Sequence, residues 1–414
     1  MTDTPPPALA GARIGPREFI ALVATLMAMT ALGIDSMLPA LPAIAGDLGV
    51  QRANDQQWVV AVFMFGFSAG QLLWGPLSDR FGRKATLLAA LALGAAANLA
   101  AAVAPDYTLL LVARAVGGIA VASSRVVAVA LVRDCYSGRA MARVMSLAFI
   151  VFMAAPVLAP SVGQLILLVA PWRAIFVALT AASLATLLWI GVRLPETLRE
   201  ADRLPLSLTR IMQGFRFAVT ERNSIGYTLA STMLMSGLYG FINSIPQVLD
   251  RVFDAEERLA LIFAGVAGTM ALANYFNSRI VMAVGTRRIS HSALLGFILF
   301  AGVHLAFALS GAETLWSFMI VQALMMACFG LAGSNFGSMA MEHMGSQAGT
   351  ASSAQGFIAT ALGALGGAAI GQAFDGTTIP LYTGFLIGGV LALVAVLATE
   401  RGRLFTARNV MLAD

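Results

Sequence analysis

Residues 56–104 read QQWVVAVFMFGFSAGQLLWGPLSDRFGRKATLLAALALGAAANLAAAVA. Two apolar runs, 56–77 and 84–104, flank a short turn that carries Asp79, Arg80, Arg83 and Lys84. Each run is about 20 residues long, the length an α-helix needs to cross the roughly 30 Å hydrocarbon core of a bilayer. The apolar residues are continuous instead of alternating, which argues against the strands of a membrane barrel. In lipid the helix is the remaining way to satisfy the backbone.

The same unit recurs along all 414 residues. Hydrophobic residues make up 59% and charged residues 11%, where a soluble globular chain is about a quarter charged. The mean hydropathy is +0.83. Six runs lie at 19–43, 56–77, 84–104, 108–132, 144–169 and 172–192, and six more at 223–249, 258–280, 291–309, 315–340, 350–373 and 380–399. The sequence therefore predicts an all-α membrane protein of twelve transmembrane helices. The head, Met1–Pro16, is Pro-rich and polar and has no apolar core followed by a small-residue cleavage site, so the first run is expected to be a true span.

Between spans six and seven lies the longest polar stretch, Pro195–Arg222. It divides the chain into an amino-terminal bundle, 1–194, a linker, 195–222, and a carboxy-terminal bundle with a short tail, 223–414. A six-plus-six plan is that of internally repeated transporters, whose substrate site lies near the midplane between the halves. Gly82, Arg83 and Lys84 after span two find an echo in Gly285, Arg287 and Arg288 after span eight. Glycines at fourfold spacing (Gly66 and Gly70; Gly333 and Gly337; Gly363, Gly367 and Gly371; Gly384 and Gly388) are expected to let helices approach closely.

The net charge is +5 and the pI about 9.7, but the basic residues sit between apolar runs, so they report orientation instead of nucleic-acid binding. Of 26 Lys and Arg, 18 fall in loops on the side of the amino terminus and 4 (Arg52, Arg173, Arg251 and Arg258) on the other. Both termini are expected in the cytoplasm. Cys135 and Cys328 fall in different halves without metal-ligand spacing and read as small apolar fillers.

Among 21 acids, Asp35 alone falls deep inside a run. A charge near the bilayer centre costs roughly 2.5–3.5 kcal/mol, so intramembrane acids usually face a cavity and act. Desolvation brings its proton exchange toward physiological pH unless a cation opposes this, and Asp35 is the candidate proton-coupling residue. A purely structural cap or pair is the competing reading. Arg114 and Arg125 lie in span four, and at about 1.5 Å per residue Arg114 sits at a depth similar to Asp35. The two can pair, or compete for a proton. Arg125, three turns further along, is expected to face the substrate cavity.

The turn Gly75, Asp79, Arg80, Gly82, Arg83 forms a candidate conformational switch, in which Asp79 latches onto an exposed helix amino terminus such as the start of span eleven. In span five, Pro156, Pro160 and Gly163 are expected to interrupt the helix and shape a gate. Polar and aromatic groups in the second half, Tyr239, Asn243, Gln247, Asn274, Phe329, Asn335 and Gln355, are candidate substrate contacts. His304, near the end of span nine, reads as a packed residue instead of a proton relay.

These residues resemble the major facilitator superfamily along essentially the whole chain, and within it the drug/proton antiporters of the bicyclomycin-resistance (Bcr/CflA) type. Gly75–Lys84 is similar to the superfamily's signature loop, and Asp35 with Leu38-Pro39-Ala40-Leu41-Pro42 to the subfamily's first span. Arg114 with Gly117 and Gly118, and Arg133 with Asp134, resemble the two ends of the fourth-span motif. Pro156, Pro160 and Gly163 resemble the antiporter motif, and Leu194-Pro195-Glu196-Thr197 the exit from span six. The sequence departs from the pattern at Val129, where an arginine is usual, and at Ala154 and Ala155, where glycines are. The resemblance implies two six-helix bundles exchanging an external proton for an internal substrate, coupled through Asp35 and Arg114. It implies a monomer in the bacterial inner membrane that uses no ATP and no cofactor. The partners are then protons, a small molecule and the lipid bilayer, with no nucleic acid.

Two arginines near the path favour neutral or anionic, phenicol-like or cyclic-peptide-like substrates. Proton-coupled uptake of a metabolite is the alternative, and few ionisable groups beyond Asp35, Arg114 and Arg125 are present to serve a strongly polar cargo. A membrane enzyme or sensor finds no support, since the sequence offers no catalytic cluster, no metal-ligating set and no phosphate-binding glycine loop.

Overall fold

The computed structural model describes residues 14–136, 138–206, 208–344 and 348–405. The chain forms α1 (Pro16–Asp35), α2 (Leu41–Asp47), α3 (Trp58–Phe81), α4 (Arg83–Ala102), α5 (Tyr107–Cys135), α6 (Gly138–Leu167), α7 (Arg173–Arg193), α8 (Leu208–Thr220), α9 (Arg222–Arg251), α10 (Leu259–Val284), α11 (Thr286–Ser310), α12 (Leu315–Ala340), α13 (Ala348–Gln372) and α14 (Ile379–Thr399). Among the described residues, eleven helical segments are long and apolar enough to cross a membrane, with α1 and α2 counted as one. The chain separates into two compact units, Met1–Thr209 and Arg210–Asp414. The head to residue 13, the tail from 406 and the side chain of Pro156 lie outside the described residues.

Two expectations are corrected. The run 19–43 is not one helix, because α1 stops at Asp35, a single turn of 3-10 helix covers Leu38–Ala40, and α2 resumes at Leu41. Pro39 has no N–H to give the Asp35 carbonyl and its ring collides with that oxygen, and Pro42 does the same to Leu38. Conversely, α6 runs helical from Gly138 to Leu167 straight through Pro160, where an interruption was expected. The linker also holds structure. The strongly amphipathic α8 lays Phe215, Phe217 and Ala218 against Met344, Ala351 and Ala354 in the carboxy-terminal unit.

In the amino-terminal unit α3 and α5 nearly touch. A Cβ on Gly66 would strike the Ala115 carbonyl, and one on Gly118 the Phe63 carbonyl. The matching intimacy in the other unit is α9 against α13, where Gly363 and Gly367 seat Tyr239. Gly333 and Gly337, expected to pack, meet no neighbour within 4 Å.

The broken span is clamped at both ends to α7. Glu18 at the start of α1 accepts from the Arg193 guanidinium at 2.6 and 2.7 Å and from Trp189 Nε1 at 3.0 Å. Asp47 at the end of α2 pairs with Arg173 and accepts from Trp172 Nε1 at 3.1 Å. As partly exposed pairs these are each worth at most about 1 kcal/mol, but together they fix where the broken span begins and ends.

Candidate functional site

Asp35 is the last residue of α1, 3% exposed, and its Oδ1 has no hydrogen-bond partner. The break beside it leaves the final carbonyls of α1 without helical donors. Leu32 O is taken by the Ser36 amide and hydroxyl. Gly33 O is taken by Arg114 Nη2 at 2.9 Å, while Arg114 Nε donates to Val59 O on α3 at 3.1 Å. Arg114, 1% exposed, therefore caps the carboxy-terminal end of α1, where a cation is also favoured by the helix dipole. Its guanidinium lies 4.0 Å from the centroid of the Phe63 ring. Arg114 Nη1 has no partner, and among the described residues Arg114 and Asp35 form no ion pair. Two buried, unsatisfied polar atoms, one on each residue of the expected coupling pair, are an expensive arrangement, at about 1–3 kcal/mol each.

Gly163 on α6 completes the site. A Cβ there would fall on the carbonyl oxygen of Ser36 and 3.1 Å from Pro39 Cγ, so α6 crosses α1 at the break itself. Pro160, one turn earlier, is buried. Gly163 thus brings α6 into close approach to the residue after Asp35. Gly163→Ala is expected to cost about 1–3 kcal/mol through forced displacement of the break, read as a lower melting temperature in detergent together with weakened transport. An unchanged melting temperature and full transport would show the contact to be slack.

The signature turn forms a second cluster. Gly82, at φ 94°, lets α3 turn directly into α4. Arg83 is buried and pairs with Asp79 at 2.5 Å and Asp134 at 2.8 Å. Glu196, beyond α7, caps α4 by accepting from the Arg83 amide at 2.8 Å and the Lys84 amide at 3.2 Å. Arg80 is exposed and Gly75 lies inside α3. The carboxy-terminal unit repeats the device. Gly285, at φ 92°, precedes α11, and the buried Arg287 pairs with Glu342 at 2.9 Å and Glu400 at 2.8 Å, while Tyr227 donates to Glu400 at 2.6 Å. In both units the acids come from just inside or just past helix ends. Sequence reading marked the glycines and arginines and quoted Asp134 and Glu196 as motif letters, but missed Glu342, Glu400 and Tyr227, which carry no local signal.

Of the candidate substrate contacts, Arg125 is exposed on α5, and Tyr239 and Gln355 are half-buried. Asn243, Gln247 and Phe329 are buried within the carboxy-terminal unit. Asn335 Nδ2 donates to Asn277 Oδ1 at 2.9 Å, Asn274 donates to Met270 O at 3.0 Å, and Gln355 Nε2 bridges Ser224 Oγ at 2.7 Å and Ala340 O at 3.0 Å. These three hold backbone or side chains in their own unit. His304 is buried and stacked on Tyr382, with centroids 4.1 Å apart. Cys135 is buried, Cys328 is partly buried, and both are free thiols.

Residues 21–368 match the model of the Major Facilitator Superfamily. The chain belongs to that superfamily. It is a transporter, not an enzyme. Similar proteins include a bicyclomycin resistance protein homolog of Haemophilus influenzae, 29% identical over 388 residues that cover 92% of this chain and 94% of the relative. The multidrug resistance protein MdtL of Citrobacter koseri is 29% identical over 384 residues, covering 92% and 95%. Among solved structures, a D-xylose-proton symporter has the same fold at a TM-score of 0.72 and 15% identity, covering 94% of this chain and 99% of that one. The names of the sequence relatives agree with the branch of the superfamily read from Asp35, Arg114 and the signature turn.

Proposed function

We propose that this major facilitator exports drugs or other small, largely apolar compounds in exchange for protons, with Asp35 as the site of proton binding. The observation that carries the reading is a buried carboxyl with an unsatisfied oxygen, placed at the break in the first span. The resistance proteins among its relatives support efflux as the direction. A proton on Asp35 leaves Arg114 on the Gly33 carbonyl, and loss of that proton creates a charge that the spare Nη1–H can answer. The proton state of one residue is thus linked to the capping of α1, and through Gly163 to α6. Arg125 and Tyr239 are our first candidates to touch substrate, followed by Asn243, Gln247, Phe329, Asn335 and Gln355.

Within this proposal α6 is the twelfth membrane-spanning element, both termini face the cytoplasm, and residues 1–194 and 223–414 form bundles joined by 195–222. The protein works as a monomer in the bacterial inner membrane and is driven by the proton gradient without a cofactor. The test is acidification of a weakly buffered solution of purified protein when chloramphenicol, bicyclomycin or ethidium is added, paired with flux in everted vesicles. Proton release by one of these, and its accumulation inside everted vesicles on energisation, is expected. Depletion from energised everted vesicles would reverse the direction to uptake.

A further inference from the structure

We propose that Phe63 is a positioning residue that favours the Arg114 guanidinium on the Gly33 carbonyl while Asp35 is protonated. The inference rests on the reading of Asp35 as the proton site. Phe63 lies one turn after Val59 on α3, so the helix presents a carbonyl and a ring on the same face. The carbonyl takes Arg114 Nε, and the ring lies under its Cζ at 4.0 Å, with Phe176 a second ring at 5.9 Å.

The seat of the ring is built from absent side chains. A Cβ on Gly33 of α1 would lie 3.0 Å from Phe63 Cζ, and one on Gly117 of α5 3.8 Å from Cε2. Gly118 brings α5 onto the Phe63 carbonyl and fixes its backbone. Gly33 thus leaves the ring space that a Cβ would crowd, Gly117 lies at ordinary contact distance, and Gly118 seats the Phe63 backbone against α5. Phe63 also lines a small internal cavity with Met29, Asn98, Ser124 and Ser183, and the Ser124 hydroxyl has no partner. Arg114 does not line it. Cations bind the faces of rings most strongly where water is excluded, so the buried ring serves as a platform for the guanidinium.

The charged groups in reach are few. Among the described residues of this unit, the buried charged side chains are Asp35, Arg83 and Arg114. Arg83 is bound to Asp79 and Asp134 near the far end of α5, and Arg125 is exposed. Without the ring the guanidinium is free to pair with Asp35 and favour its ionised form.

The experiment is a pH titration of the protonated-carboxyl infrared band in the full-length purified protein, with no substrate added. The band lost in Asp35→Asn assigns Asp35. In Phe63→Leu its midpoint is expected to fall by about one pH unit or more, a tenfold loss of proton affinity, whereas the ring-retaining Phe63→Tyr stays near the wild-type midpoint. Phe63→Met, closer in volume, is expected to shift as Phe63→Leu does and serves if the leucine variant does not fold. A wild-type midpoint in the ringless variant that folds, or an equal shift in Phe63→Tyr, overturns the inference while Asp35 keeps its role. A band that survives Asp35→Asn overturns the proton-site reading and this inference with it.

Discussion

Asp35→Asn is expected to abolish drug-induced proton release and to cut proton-driven export by about 100-fold or more, while the protein remains folded. Asparagine keeps the shape of the carboxyl and removes its ability to exchange a proton. Among the described residues Asp35 forms no ion pair, so the substitution takes no partner from a described buried cation, and a membrane-embedded group that no longer ionises is cheaper to bury. The melting temperature in detergent should therefore hold or rise as transport is lost. That combination separates a coupling residue from a structural one, because a structural carboxylate would lose stability in step with activity. If the variant released as many protons as wild type on addition of chloramphenicol or ethidium, Asp35 would not be the coupling site.

Arg114→Lys is the second large effect. The guanidinium reaches Gly33 O on α1 and Val59 O on α3 at once, with its Cζ over the Phe63 ring at 4.0 Å. A lysine ammonium is a point donor that cannot span both carbonyls in that plane. Loss of one charge-assisted bond and of the cation–ring contact should cost about 2 kcal/mol of stability. Export should fall by roughly tenfold or more, since each 1.4 kcal/mol of lost differential stabilisation is a factor of ten. Thermal unfolding in detergent and export from cells measure the two effects separately. A lysine variant that matches wild type in both would remove the capping role assigned here.

Much of this was legible in the sequence because lipid simplifies it. Apolar runs of span length mark the helices, and the single deep acid marks the site. Counting residues at about 1.5 Å each placed Arg114 level with Asp35. What hydropathy cannot register is a missing donor. Pro39 and Pro42 read as part of an apolar run, yet they end α1 beside Asp35. The same blindness led to the expectation of an interruption in α6, where the helix continues through Pro160. Arg114 was set beside Asp35 to pair or compete for a proton, while the structure gives it one carbonyl that the break sets free, Gly33 O, and one on α3, Val59 O. Phe63 left no trace, since one phenylalanine among apolar neighbours looks like any other until the glycines of two other helices are seen around it. Glu342 and Glu400 were hidden for a related reason, because each pairs with Arg287, more than 50 positions away in sequence.

The clamps that tie the broken span to α7 give the break a mechanical meaning. A rod pinned at both ends can only stretch or buckle as a whole, but α1 and α2, pinned through Glu18 and Asp47 to the unbroken α7, make two limbs with a joint, like a bow strung on a straight stave. With both ends tied to α7, the joint between the limbs is where the span can bend, and Asp35 sits at the joint. Under the proposed proton cycle, a change at Asp35 would then act on the middle of the span, where Gly163 of α6 is packed against Ser36.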